Sequence, residues 1–423
     1  MTDSRSTLRG WLWVPSLYLA EGLPYVVVMT VAGIMFKRMG VSNAENAFYA
    51  SLLGLPWALK LFWSPFVEMF STRRHWIVAM QIAIAAALGL LAFCLPGAGW
   101  FRASVASFMA VGFLSATHDI AADGFYMLGL DTRGQSFFVG IRTTFYRLAM
   151  IAGQGPLVVL AGWLEVRYGD IPRAWAVVFF VLAAVMAAMA LYHAVALPRP
   201  STDRSQSVRT LREVGSEFVD TFTGFFTKRH IGVALLFILL YKLPEAQLLK
   251  LISPFLLDSP AEGGLGLDTS QVGVVYGTIG VIGVMLGGIV GGILVARSGL
   301  HRWMMPMAWS MSLTCITFLW LSIVPAPSMP EIYGCVFVEQ FGYGFGTTAY
   351  MLYLIHFARG ARSTAYYAIA TGIMSLGMIL PGMAAGWIQQ QIGYTPFFIW
   401  TMVCCLATLG VAAMARKNLE SRE

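Results

Sequence analysis

Ser115-Ala-Thr-His-Asp-Ile-Ala-Ala-Asp-Gly-Phe-Tyr-Met-Leu-Gly-Leu130 closes an apolar run that opens at Ala103. The run is long enough to cross a bilayer, for which about 20 apolar residues suffice. It nevertheless carries His118, Asp119 and Asp123. Asp119 and Asp123 are four positions apart, so on a helix both carboxylates point the same way. An ionised carboxylate in hydrocarbon costs at least a few kcal/mol unless it is paired or faces water. Two on one face demand partners, and the partners locate a site. Such a site either locks two helices together statically or couples and gates movement.

The rest of the chain has the same character. Its 423 residues are 58% hydrophobic and only 12% charged, against roughly 25% charged in soluble domains. Apolar runs recur nearly end to end, which excludes a soluble domain with one anchor. The short basic start, Met1 to Arg9, leads into an apolar run reaching Phe36. That run is too long for a signal-peptide core and is read as a retained first helix. Cys94, Cys315, Cys335, Cys404 and Cys405 lie in or beside apolar runs without paired metal spacing, and read as small buried hydrophobes. No CxxC, HExxH or Walker loop is present, so neither a metal site, a cofactor nor ATP-driven transport is expected.

Twelve spans are predicted, numbered here in chain order: 11–36, 46–67, 75–95, 103–129, 136–163, 174–196, 231–256, 270–296, 303–325, 331–357, 363–389 and 393–415. With the N-terminus inside, the inner segments hold 18 of the Lys and Arg residues and the outer loops five. That bias predicts both termini on the cytoplasmic side, and it accounts for most of the net charge of +7.

The longest polar segment, Pro198 to Arg229, starts as linker and continues from Val208 with helical amphipathic spacing, as for a helix lying on the inner membrane surface. The expected organisation is therefore a six-helix bundle over 1–197, a central loop over 198–229 and a second six-helix bundle over 230–423. The halves repeat weakly. Leu23-Pro24 in span 1 lies on Leu243-Pro244 in span 7, and Ser64-Pro-Phe-Val-Glu68 with Arg73 and Arg74 answers Gly292 to Gly299 with Arg297 and Arg302. Repeated six-span halves are how many secondary transporters are built, with substrate near the midplane.

These features resemble the major facilitator superfamily: twelve spans, a long central loop and a degenerate Gly-x-x-x-Asp-Arg-x-Gly-Arg-Arg-like loop in each half. The resemblance implies a gating role for the loop residues. Glu68 stands at the acidic position of the first loop; the second has Ala296 there, so only Arg297, Gly299 and Arg302 fit. Leu55 to Glu68, Ser115 to Asp123, Tyr241-Lys-Leu243 and Glu339-Gln-Phe-Gly-Tyr-Gly-Phe-Gly-Thr-Thr-Ala349 are similar to the AmpG-like muropeptide permeases and their acetyl-CoA-transporter relatives. That family usually shows Ala-Thr-Gln-Asp with an Arg soon after the second Asp. Here His118 replaces the Gln, and Phe125-Tyr126-Met127 follow.

Depth decides which intramembrane charges meet. Spans 4 and 5 are joined by a short turn at Asp131 to Gln135. At about 1.5 Å per residue, Asp123 lies level with Arg142 and Asp119 with Arg147, with Tyr146 and His118 nearby. Glu21 and Lys242 both fall near midplane, in the spans that the resemblance makes cavity-lining. Lys60 is a partner for Glu21 or snorkels inward, and Glu245 allows a local pair with Lys242. Glu339 is either a binding or a packing residue, and His118 is either a titrating or a bound histidine. Tyr343, Tyr350, Tyr353, Tyr366 and Tyr367 are candidates to stack on rings of a solute.

The resulting expectation is a monomeric, proton-coupled importer of a bulky polar solute in the bacterial inner membrane, most like the muropeptide permeases. Its partners are that solute, the proton and lipid, with no nucleic acid. An importer of another periplasmic solute, such as a siderophore, is the same-fold alternative. A membrane enzyme would need a nucleophile–base set or metal motif at a membrane face, and none is present. A receptor would need a soluble effector segment, and a loop of about 30 residues is too small to pack.

Overall fold

The computed structural model describes residues 3–200, 203, 211–360 and 362–420. Every regular element among them is helical. Among the described residues, ten helices are long and apolar enough to cross a membrane, corresponding to all the predicted spans except 2 and 10. Span 10 is a continuous helix, Met329–Ala358, diluted in apolarity by polar and small residues such as Glu339 and Gln340. Span 2 is broken into Asn43–Leu52, Leu55–Leu59, a tighter turn at Lys60–Phe62, and Ser64–Phe70. Large apolar side chains such as Phe93, Leu191 and Val166 are 73–85% exposed. Hydrocarbon, not water, is the medium that accommodates such a belt.

Proline sets where several helices break. Span 5 stops at Gly155 and restarts at Pro156, whose missing N–H is harmless at a helix start. Span 7 runs as Ile231–Leu240 and Leu243–Leu257, with Pro244 in the first turn after the gap. The repeat-related Pro24 sits inside Asp3–Val26, and the helix widens just beyond it into a π-turn at Val27–Val31. Both copies of the Leu-Pro pair thus mark an irregular backbone, of the kind found at functional sites in membrane helices.

The chain forms two compact units. One comprises Met1–Met35 and Leu59–Val214; the other comprises Phe36–Ala58 and Gly215–Glu423. In the second unit the start of span 2 packs on spans 7 and 11. Spans 8 and 10 of that unit come together along Gly283, Gly287 and Gly291. A Cβ at Gly283 would stand 2.8 Å from the Phe337 carbonyl oxygen, so only a small-residue face allows this approach. The amphipathic helix after the linker is Leu211–Phe226, with Phe225 buried against Phe357, ring centroids 5.6 Å apart.

Candidate functional site

In the first unit, span 4 is the helix Trp100–Gly129, and the Asp131 side chain caps the next helix by accepting from Gly134 N–H at 2.7 Å. This tight turn brings Arg142 level with Asp123, as the depth argument expects. The guanidinium lies 3.1 Å from Asp123 Oδ1 and donates to the Tyr18 hydroxyl at 2.8 Å, while Tyr18 donates to Asp123 at 3.2 Å. The same guanidinium lies 4.9 Å from the ring centroids of both Tyr18 and Tyr126. Asp123 is 46% exposed at its side chain and Arg142 31%. An ion pair this open adds little stability by itself; the two aromatic faces fix the guanidinium in place.

One turn deeper, Asp119 departs from expectation. Its partner is Lys60 at 3.7 Å, and Arg147 joins no ion pair among the described residues. The reason lies in span 2. Lys60 opens the short turn at Lys60–Phe62, and this break carries its amine to span 4 rather than to Glu21. Glu21 is buried, and its Oε2 has no hydrogen-bond partner. Tyr146 packs nearby, its ring 6.2 Å from that of Tyr25. Gly22 allows this closeness: a Cβ there would lie 2.9 Å from the Tyr146 carbonyl oxygen.

His118 belongs to a buried chain that crosses four helices. Gln81 Nε2 lies 2.9 Å from His118 Nε2, Gln81 Oε1 lies 3.0 Å from His193 Nδ1, and His193 Nε2 lies 3.0 Å from Ser16 Oγ. An amide nitrogen only donates and an amide oxygen only accepts. His118 Nε2 is therefore the acceptor, which makes that ring the neutral tautomer protonated at Nδ1, and His193 Nδ1 is the donor. Of the two roles open to His118, this geometry favours the bound one, holding span 4 beside Asp119. Gln81 and His193 were not singled out in the sequence; a lone Gln in an apolar run was the available signal. Replacing Gln81 with leucine strands polar atoms of both histidines, at roughly 1–3 kcal/mol each. Thermal unfolding in detergent should show a clearly lowered midpoint for this variant, and an unchanged midpoint would mean that the chain contributes nothing to stability.

In the second unit, Lys242 occupies the gap in span 7 and is buried. Its amine lies 3.4 Å from the Tyr343 hydroxyl, 4.7 Å from that ring's centroid and 5.3 Å from that of Tyr350. The local pair with Glu245 does not form among the described ion pairs: the amine turns to the aromatic faces instead. Glu245 and Glu339 are both fully buried. Tyr350 donates to the Ile238 carbonyl at 2.6 Å and stacks on Phe237, while Tyr353 packs 4.3 Å from Phe237. These two tyrosines belong to the core. Tyr366 packs against Phe225 and the Lys228 amine. Tyr343 and Tyr367 are partly exposed.

The loop before span 3, at Arg73 and Arg74, is anchored by Asp203 from the linker. Asp203 accepts from the backbone N–H groups of Arg73 and Arg74, at 2.9 and 3.1 Å. A carboxylate at this helix start satisfies donors that have no helical partner. The Arg74 side chain donates to the carbonyls of Ala194 and Leu197. A Cβ at Gly124 would collide with the Arg73 side chain, so glycine beside Asp123 is what lets that arginine reach span 4. The side chain of Glu68 lies outside the described residues. Arg297 and Arg302 are exposed.

No protein-family model matches the chain. It is 27% identical over 416 residues to the anhydromuropeptide permease of Escherichia coli K12, covering 96% of this chain and 79% of that one. Among solved structures it is similar to a single-site mutant of the nucleoside transporter NupG, with TM-score 0.71, 14% identity and coverage of 97% and 98%. It is also similar to a POT family transporter in complex with 5-aminolevulinic acid, with TM-score 0.68, 12% identity and coverage of 96% and 95%. Its array of membrane-length helices and these likenesses make the chain a multi-pass membrane transporter, not an enzyme, with the fold of the solved transporters it matches, and its sequence resembles the AmpG-like permeases.

Proposed function

We propose that this transporter imports anhydro-muropeptides across the bacterial inner membrane, coupled to protons, by alternating access with both termini cytoplasmic. The likeness to a permease of that name along almost the whole chain supports the substrate class. The observation that carries proton coupling is a charge imbalance. The ionisable side chains acting on buried Glu21 are Asp119, Asp123, Lys60 and Arg142. Three acids therefore face two bases. Each base already has its own carboxylate, at 3.7 and 3.1 Å, which leaves Glu21 as the unmatched group. An unpaired buried carboxylate is far costlier than a neutral carboxyl, so a proton on Glu21 balances the cluster. Movement that changes its access to water then releases the proton. Asp119 and Asp123 hold the two cations for this exchange, Lys242 and Tyr343 contribute to substrate recognition, and Arg73, Arg74, Arg297 and Arg302 with Glu68 act in gating.

The test is uptake of labelled anhydro-muropeptide into proteoliposomes. Uptake should rise with an inward proton gradient, ignore sodium and stop with a protonophore. Asp119→Asn and Asp123→Asn should each slow uptake severely while the protein still inserts. Protonophore-insensitive uptake ends the coupling proposal, and full activity of both Asn variants removes the aspartates from it.

A further inference from the structure

We infer that Glu245 and Glu339 form a carboxylic acid–carboxylate pair, a second proton-binding site that lies within the second unit. Glu245 stands in the first turn of Leu243–Leu257, and Glu339 in the middle of Met329–Ala358. Both side chains are fully buried. Each carboxyl has one oxygen accounted for. Glu339 Oε2 accepts from Gln340 Nε2 at 2.7 Å, and Glu245 Oε1 has only the weak Cys315 Sγ–H donor at 3.6 Å. The remaining oxygens, Glu245 Oε2 and Glu339 Oε1, are buried and receive no donor from any other residue. The two carboxyl groups lie within direct reach of each other. A proton on either one supplies the missing donor for both.

The surroundings agree with one proton rather than none or two. Lys242 is the cation acting on Glu245, and its amine is spread over Tyr343 and Tyr350 rather than engaged in an ion pair. Two carboxylates against one ammonium leave one negative charge unmatched, and two like charges this close in a dry site do not both persist. Two protons would leave Lys242 without a counter-charge. The other titratable groups facing the pair are Tyr241, Tyr276, Tyr343, Cys315 and Cys405. Phenols and thiols add no positive charge. The buried cluster of the first unit shows the same surplus of one carboxyl, so each of the two clusters carries one acid beyond its bases.

The pair's part in transport rests on the proton-coupled reading above; its existence does not. The test therefore has two arms on the full chain in proteoliposomes. Infrared difference spectra at neutral pH should show a protonated-carboxyl C=O band, beside that of Glu21, that disappears equally in Glu245→Gln and Glu339→Gln. In either variant the remaining glutamate balances Lys242 and ionises. Glu21→Gln should keep that band. Loss in only one of the two variants, or in neither, overturns the shared proton. In the second arm, both variants should lose the accumulation of labelled anhydro-muropeptide that a one-unit pH gradient drives, about tenfold per coupled proton, while keeping counterflow, which also shows that they fold. Full accumulation by both variants removes the pair from the transport path. If the parent ignores the gradient, proton coupling fails, and the infrared band still decides the pair.

Discussion

Glu21→Gln is expected to abolish accumulation against a gradient while exchange of substrate down its gradient continues. A one-unit pH difference is worth about 1.4 kcal/mol per proton, or about tenfold in concentration. The parent should therefore concentrate a neutral probe about tenfold per coupled proton under that gradient alone, and the variant should stop at equal concentrations. Glutamine keeps the shape of the side chain and the neutral state that balances Lys60 against Asp119 and Arg142 against Asp123. It therefore mimics the protonated carboxyl and should leave the fold, substrate binding and the loaded movement largely intact. What it removes is the choice between charged and neutral. Counterflow of labelled substrate, measured beside net uptake in the same vesicles, separates the two. A Glu21→Gln variant that still concentrates substrate takes the proton away from this residue. The Asp119→Asn variant would then be the next to measure, since Asp119 is 11% exposed at its side chain and meets Lys60 at 3.7 Å.

What was legible in the sequence follows from how far helical geometry carries. Hydropathy alone placed the helices to within a few residues, as in Arg73–Cys94 and Ile171–Ala196, because bilayer thickness imposes their length. Counting residues from a tight turn was enough for Asp123 and Arg142, since both helices run unbroken between the turn and the pair. The same count failed for Asp119, because its partner comes from span 2. There Leu-Pro and Ser-Pro steps divide the backbone into short pieces, and depth no longer follows from position. Long-range pairings such as Gln81 with His118 and His193 depend on the rotation of three helices about their axes. Nothing within one span reports that angle. Lys242 was legible as a midplane charge, but its preference for Tyr343 and Tyr350 over Glu245 depends on the gap in span 7, which turns the amine away from the next helical turn.

The largest expected loss of stability comes from Lys37→Met, at the end of span 1. Lys37 forms an ion pair with Asp258, which follows the last residue of Leu243–Leu257. Asp258 also accepts from Asn43 Nδ2 at 3.2 Å and from the Tyr394 hydroxyl at 2.6 Å. Asn43 in turn accepts from Lys37 at 2.7 Å and donates toward Gln389 at 2.9 Å. Every group in this knot belongs to the second unit, and Asp258 and Asn43 are buried. Removing the ammonium leaves a buried carboxylate with neutral donors only. Breaking a buried pair in this way costs about 3–5 kcal/mol, whereas replacing both partners with apolar groups is often close to neutral. Because the Lys37 side chain keeps 16% exposure, water reaches one side of the knot and the loss should fall toward the lower end. Thermal midpoints in detergent for Lys37→Met, Asp258→Leu and the double variant give the coupling directly. The double variant should be more stable than the sum of the single losses predicts. Strict additivity would mean that Lys37 and Asp258 act independently, and that Asn43 and Tyr394 alone suffice to hold the carboxylate in place.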